Sequence, residues 1–281
     1  MKRLIILVII ISAISFTIRN VSSYTLAQDL DITPKDALST GSQTPNKYLL
    51  NAGRNLEIAA GLRYAGFGSG IASLALYQYG DKSDSDLGRI LQYGSGILFV
   101  SPYYIGRAGK ELAKANLNIQ TKQAGTALQK YRSSYYGGLA MAVAGGGILA
   151  IRLYNEAELE EPSSIALAAV ALVGFLYSSL APPHYLGSAG SYLSKMDMPS
   201  DNVNLQMSKV GTHLKKAGAY QYSSFFAYLL GGVLTAYGIS EDDDSSVLMG
   251  GFILGLGALS DLISTIRISC AGMGLNKASK M

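Results

Sequence analysis

Six long apolar segments dominate this sequence, and each is near the length that a helix needs to cross a lipid bilayer. They run over residues 56–79, 87–106, 133–154, 163–187, 217–239 and 246–268. The hydrocarbon core of a bilayer takes about 20 residues of α-helix. None of the segments shows the alternation of apolar and polar residues that marks a half-buried strand. Because backbone polar groups in lipid must be satisfied within a spanning element, the pattern predicts an all-α, multi-pass transmembrane helix bundle with six spans.

The composition favours lipid over water as the surroundings of these helices. Charged residues make up 15% of the 281 residues, well below the roughly 25% of soluble domains. The 32 glycines would weaken helices in water, but they let helices pack closely in a membrane. The net charge of +4 is too small to indicate a nucleic-acid partner. The lipid bilayer is therefore the predicted partner.

A short motif recurs at the end of the second, fourth and sixth segments. It reads Ala-Gly, then Leu three residues after the Gly, then Lys two residues after the Leu. Its positions are Gly109, Leu112 and Lys114, then Gly190, Leu193 and Lys195, then Gly272, Leu275 and Lys277. Related motifs stand at Gly53, Gly125 and Gly211, ahead of the first, third and fifth segments. The regular period predicts three tandem helical hairpins, with helices that continue past the bilayer through each motif.

The predicted organisation begins with a signal-like segment. A basic start, a short apolar stretch and the sequence Thr25-Leu-Ala27 describe a signal peptide or an uncleaved anchor over residues 1–27. Residues 28–50 are polar and predict a flexible lead-in. The first hairpin repeat then covers residues 51–115. A linker with the second repeat covers 116–196, and a linker with the third repeat and the tail covers 197–281.

The connections between segments alternate in charge. Residues 81–86, 155–161 and 240–245 are short and acidic, whereas the two long linkers carry most of the lysines and arginines. The positive-inside rule then predicts a multi-pass protein of the cell membrane with its basic linkers in the cytoplasm. A cleaved signal would place residues 28–55 on the other side, so the two indications conflict and both orientations stay open.

Asp261 is the only acidic residue well inside an apolar segment. A carboxylate within the membrane is a functional candidate by default, and Arg63 or Arg267 could pair with it. The alternative is that Asp261 only bonds to a neighbouring helix. The two histidines give no metal-ligand spacing, and no catalytic set stands at a recognisable spacing. The sequence thus predicts no enzyme activity, no metal and no cofactor.

Glycines inside the apolar segments predict close helix contacts. Two pairs have the four-residue spacing of such contacts, and single glycines in other segments fit the same role. These residues are Gly66 and Gly70, Gly251 and Gly255, with Gly146 and Gly232. Phosphate-binding loops are excluded because no Lys-Ser or Lys-Thr follows the glycines.

The function that these patterns favour is structural, as a scaffold subunit of a membrane assembly with membrane-protein partners or further copies of itself. The alternative is a channel or carrier for a small solute or ion, in which Asp261 and Arg63 would be the transport residues.

Overall fold

The computed structural model describes residues 45–79, 95–154, 161–196 and 201–281. In these ranges the chain is helical almost throughout and contains no strand, which confirms the all-α prediction. The helices are α1 (Pro45–Tyr79), α2 (Ser101–Ala115), α3 (Ile119–Tyr154), α4 (Pro162–Ser194), α5 (Asp201–Glu241) and α6 (Asp244–Ala278), with a 3-10 helix, Ser95–Val100, running into α2. The signal-like segment and most of the lead-in lie outside the described residues.

The six helices form a closed ring. Each packs against its neighbours in the chain, and α1 packs against α6. One end of this ring holds nearly all of the buried apolar side chains. We call this end the collar, and it comprises residues 45–63, 101–115, 119–135, 182–196, 202–224 and 264–278. The other end comprises residues 136–154, 162–181, 225–241 and 244–263, which we call the apolar halves.

The repeated motif builds the collar. All six motif leucines are fully buried there: Leu56, Leu112, Leu128, Leu193, Leu214 and Leu275. The motif glycines meet in three pairs across adjacent helices: Gly53 with Gly272, Gly109 with Gly125, and Gly190 with Gly211. A β-carbon on Gly125 would lie 2.5 Å from the carbonyl oxygen of Gly109. The helix backbones therefore touch at each pair, which only glycine permits.

The apolar halves pack as two hairpins, α3 with α4 and α5 with α6. Glycines again allow the contact, since a β-carbon on Gly138 would lie 2.6 Å from the carbonyl oxygen of Gly174. A β-carbon on Gly231 would lie 2.8 Å from that of Gly250. Within each hairpin the helices bury one narrow face, and only 11–22% of the most apolar stretch of each helix is buried.

By length and composition, four helices are able to cross a membrane: α3, α4, α5 and α6. They contain 33 to 41 residues. A span uses about 20 residues, so each of these helices is roughly 15 residues longer than a span requires. The long basic linkers are therefore mostly helical. The described turn between α2 and α3 is only residues 116–118.

The structure supports four of the six predicted spans. Helix α1 forms, with Arg63 near its middle, but it is not among the four helices that are apolar enough to cross a membrane. The second predicted span is not one continuous helix among the described residues. It changes from the 3-10 helix to α2 at Ser101, and residues 87–94 lie outside the described part. Residues 45–50, assigned to the lead-in, are the first turns of α1, where Leu49 is buried.

Two turns carry left-handed residues. Asn116 has φ of 45° at the end of α2, and Asp242 has φ of 53° between α5 and α6. Asp243 then caps α6, because it accepts hydrogen bonds from the backbone nitrogen of Ser245 and from the hydroxyls of Ser245 and Ser246. These bonds lower the pKa of Asp243 from its ordinary value to about 2. The acidic turn thus has a helix-capping role.

Asn116→Ala is expected to destabilise the collar by about 1 kcal/mol, because alanine lacks the short polar side chain that helps asparagine to adopt the left-handed conformation. Asn116→Gly should cost nothing, since glycine adopts that conformation freely. Thermal unfolding of the two variants in detergent measures the difference. Equal melting temperatures for both would show that the turn does not require a positive φ.

Candidate functional site

A polar layer crosses the ring where the collar meets the apolar halves. It consists of Arg63 from α1, Tyr131 from α3, Gln221 from α5, and Asp261 and Thr265 from α6. The Arg63 Nη2 atom lies 3.2 Å from Asp261 Oδ1, and Arg63 Nε donates a hydrogen bond of 3.2 Å to Thr265 Oγ1. The Tyr131 hydroxyl donates to Gln221 Oε1 at 3.4 Å. The layer thus links four helices through side chains.

Asp261 and Arg63 were the two transport candidates, and the fold brings them together. Their side chains are only 18% and 12% exposed. Arg267, the other candidate partner of Asp261, instead lies with its Nη1 atom 3.5 Å from His213 Nδ1. A buried guanidinium and a carboxylate at this distance neutralise each other.

The register of the motif explains why Arg63 and Gln221 lie at the same level. Arg63 stands ten residues after Gly53, and Gln221 stands ten residues after Gly211. Tyr135 stands ten residues after Gly125, one turn beyond Tyr131 on the same face of α3. Because the motif glycines fix the height of each helix in the collar, equal offsets from them reach the same height.

The polar layer can hold helices together and can exchange protons or ions only if its pairs open. Thr265 also donates to the Asp261 carbonyl oxygen at 2.9 Å, so its hydroxyl is fully used. Gln221 Nε2 is buried without a hydrogen-bond partner among the described residues. Within the same residues no group of His, Cys, Asp or Glu is arranged to hold a metal ion.

The collar below the polar layer is tightly packed. The motif leucines and the apolar residues two turns before them, such as Ile105, Leu186 and Ile268, have no exposure to solvent. These side chains therefore line no water-filled passage through the collar.

The glycines predicted to pack have mixed surroundings. A β-carbon on Gly66 would overlap the side chain of Leu98, so this glycine does lie against another element. No atom lies within 4 Å of such a carbon on Gly232, Gly251 or Gly255. The contact between α5 and α6 instead uses Gly231 and Gly250. The prediction of helix contacts at the three open glycines is thus not met within this chain, because the helices face each other one residue away.

The sequence did not single out Tyr131, Gln221 or Thr265. A signal was present for Gln221, which stands ten residues after Gly211 as Arg63 does after Gly53, but Tyr131 and Thr265 stand at other offsets from their motif glycines. Hydropathy within each segment hides that signal, since each helix contributes only one or two of these residues.

The chain was compared with protein-family models, with curated proteins and with solved structures, and none of them matches.

Proposed function

We propose that this protein is an integral membrane protein with a structural role, as a scaffold subunit of a membrane assembly. The observation that carries the proposal is the surface of the apolar halves. Large apolar side chains there are exposed around most of each helix. Examples are Ile151 (64%), Leu172 (57%), Leu230 (57%), Ile239 (67%), Leu248 (75%) and Phe252 (69%).

Exposure of this kind supports lipid as the surrounding solvent. Burying one large apolar side chain contributes about 1.5–3 kcal/mol relative to water. A water-soluble protein rarely leaves a contiguous apolar surface of this extent uncovered. In a bilayer the same side chains face acyl chains, and one narrow glycine face per helix is enough for packing.

The proposed topology is a tandem array of three hairpins on one collar. The matching glycine pairs support it, as do the equal offsets of Arg63 and Gln221 from Gly53 and Gly211. In this arrangement the first hairpin consists of α1 and the segment ahead of α2. Exposed basic residues of the collar lie on its helices or, after α4, directly behind the helix end, for example Arg54, Lys110, Lys122, Lys195 and Lys209. We place it in the cytoplasm, with the acidic turns on the other side of the cell membrane.

Two observations favour a scaffold over a catalyst or a carrier. The only carboxylate of the polar layer is paired with Arg63, so no free charge faces a substrate. The motif leucines of the collar are fully buried, so these side chains line no passage. We therefore propose no enzyme activity, no cofactor and no nucleic-acid partner. The expected partners are membrane proteins or further copies of this chain.

A channel or carrier is the second candidate function, with Asp261 and Arg63 as the transport residues. One observation favours it: at the level where the apolar halves begin, the polar layer holds a partly exposed ion pair, and Gln221 Nε2 has no hydrogen-bond partner among the described residues. Opening of the Arg63–Asp261 contact would then expose a carboxylate to a passing cation.

Purification in a mild detergent, followed by liposome flux assays, tests the two functions. The scaffold predicts a defined oligomer or partners in fixed ratio, and no cation flux above that of empty liposomes. A cation flux that Asp261→Asn abolishes and that Glu241→Gln leaves intact would instead establish the carrier. Glu241 is a suitable control because it is an exposed acid outside the polar layer.

A further inference from the structure

Two arginines share one tyrosine ring at the edge of the collar. The guanidinium carbon of Arg132, on α3, lies 4.5 Å from the centre of the Tyr103 ring on α2. That of Arg107, also on α2, lies 5.9 Å from the same centre. Both cations therefore lie within 6 Å of the centre of the same aromatic ring.

Neither arginine is neutralised within the described part of the chain. The ion pairs there involve Arg63, Lys114 and Arg152, and no side-chain hydrogen bond of Arg107 or Arg132 is present. Both side chains are half-buried. A guanidinium offers five N–H donors in a planar fork, so this pair presents an uncompensated set of donors to a ligand.

A glycine of α2 leaves room for the side chain of Arg132. A β-carbon on Gly106 would lie 2.6 Å from Arg132 Cδ and 2.7 Å from its Cβ. The aliphatic part of Arg132 therefore lies across α2 in a space that only glycine leaves open. This arrangement orders the guanidinium before any ligand binds, which reduces the entropy that binding would cost.

The two equivalent helix contacts of the ring have no such cluster. Counted from their motif glycines, the positions of Tyr103, Arg107 and Arg132 are taken by His184, Ser188 and Gly218 between α4 and α5, and by Ile266, Cys270 and Ala60 between α6 and α1. The ring therefore closes without arginines at two of its three equivalent contacts. The arginine pair is an addition to the architecture, and not a requirement of it.

The cluster lies at the height of the proposed membrane interface. Aromatic residues surround it, with the Tyr136 hydroxyl bonded to the Phe99 carbonyl oxygen at 2.7 Å and the Tyr135 ring 6.2 Å from that of Phe99. Tyrosine is enriched at the headgroup level of membranes. The apolar half of α3 begins one turn beyond Arg132. Two arginines at this height are placed to meet lipid phosphates.

We propose that Arg107 and Arg132, ordered by Tyr103 and Gly106, bind the phosphate of an anionic phospholipid headgroup. Arginine binds phosphate oxygens through two parallel hydrogen bonds. A lipid without a cationic headgroup leaves that phosphate free for both arginines. The inference rests on the proposed membrane placement of the chain, and it specifies one lipid class for one of the three helix contacts.

The test is native mass spectrometry of the full chain released from nanodiscs that contain phosphatidylglycerol and phosphatidylcholine in equal amounts. The wild type should retain phosphatidylglycerol over phosphatidylcholine by about tenfold, since one charge-assisted contact of about 1.4 kcal/mol gives that ratio. Arg107→Gln with Arg132→Gln should abolish the preference. Arg107→Lys with Arg132→Lys keeps the charge and should reduce it several-fold, because lysine lacks the planar fork.

A matched control removes two exposed charges elsewhere in the collar, by Arg54→Gln with Lys122→Gln. This variant should keep the wild-type preference. The proposal would be overturned if the control lost as much of the lipid preference as Arg107→Gln with Arg132→Gln. It would also be overturned if Arg107→Gln with Arg132→Gln kept the full preference. Glycerol phosphate bound at the two arginines without any lipid preference would also overturn it, in favour of a soluble phosphate. Failure to enter nanodiscs would refute the membrane placement itself, so the two failures are distinguishable.

Discussion

Gly190→Ala is expected to destabilise the collar by about 2 kcal/mol, the usual cost of forcing an extra carbon into a packed contact. The added β-carbon would overlap the carbonyl oxygen of Gly211 and the backbone nitrogen of Lys215. Backbone atoms of a helix cannot move aside as a side-chain end can, so α4 and α5 would have to separate. Thermal or denaturant unfolding in detergent measures the loss.

Gly187→Ala is the matched control on the same helix, one turn earlier. No atom lies within 4 Å of a β-carbon at that position. Alanine there should stabilise the protein slightly, by about 0.5–1 kcal/mol, since glycine is the poorer helix former. A pair of variants with equal stability would contradict the account of the collar as a set of backbone contacts at the motif glycines.

The second large effect is expected at the polar layer. Asp261→Ala should lower the free energy of unfolding by about 3 kcal/mol. Removing one partner of a buried ion pair leaves the other charge uncompensated, and the Arg63 side chain is only 12% exposed. Asp261→Leu combined with Arg63→Met should recover most of that loss, because two apolar side chains replace the pair without an isolated charge. The free energies of unfolding of the single and double variants give the coupling free energy between the two side chains.

The Arg152–Glu161 pair provides the comparison, since its side chains are 34% and 44% exposed. Glu161→Ala should lower the free energy of unfolding by less than about 1 kcal/mol, because exposed ion pairs usually contribute no more than that. An Asp261→Ala variant as stable as Glu161→Ala would show that the polar layer does not hold the helices together. The structural role of Asp261 would then lose its main support relative to transport.

The sequence predicted the helical class and the special position of the repeated motif, because hydropathy and spacing report directly on helix faces. It did not predict where the core lies. The longest apolar runs, such as that of α6, are largely exposed, whereas the modest Ala-Gly-Leu motifs are fully buried. Hydropathy ranks segments by their affinity for lipid, and in this fold the tightest protein packing lies outside those segments.

The sequence also could not predict which individual residues form the helix contacts. Gly250 and Gly251 are adjacent and chemically identical, yet only Gly250 faces α5. The choice depends on the rotation of α6, which the collar sets through Gly272 far along the same helix. The pairing of Arg63 with Asp261 depends in the same way on the closure of α1 against α6.

The central claim is that lipid surrounds the apolar halves while water surrounds the collar. Nitroxide labels at single cysteines test it, after Cys270, the only cysteine, has been replaced by serine. In liposomes, a label at Phe252→Cys should be accessible to oxygen and shielded from a water-soluble nickel chelate, and a label at Lys209→Cys should show the reverse. Equal access of the nickel chelate to both labels would contradict the account.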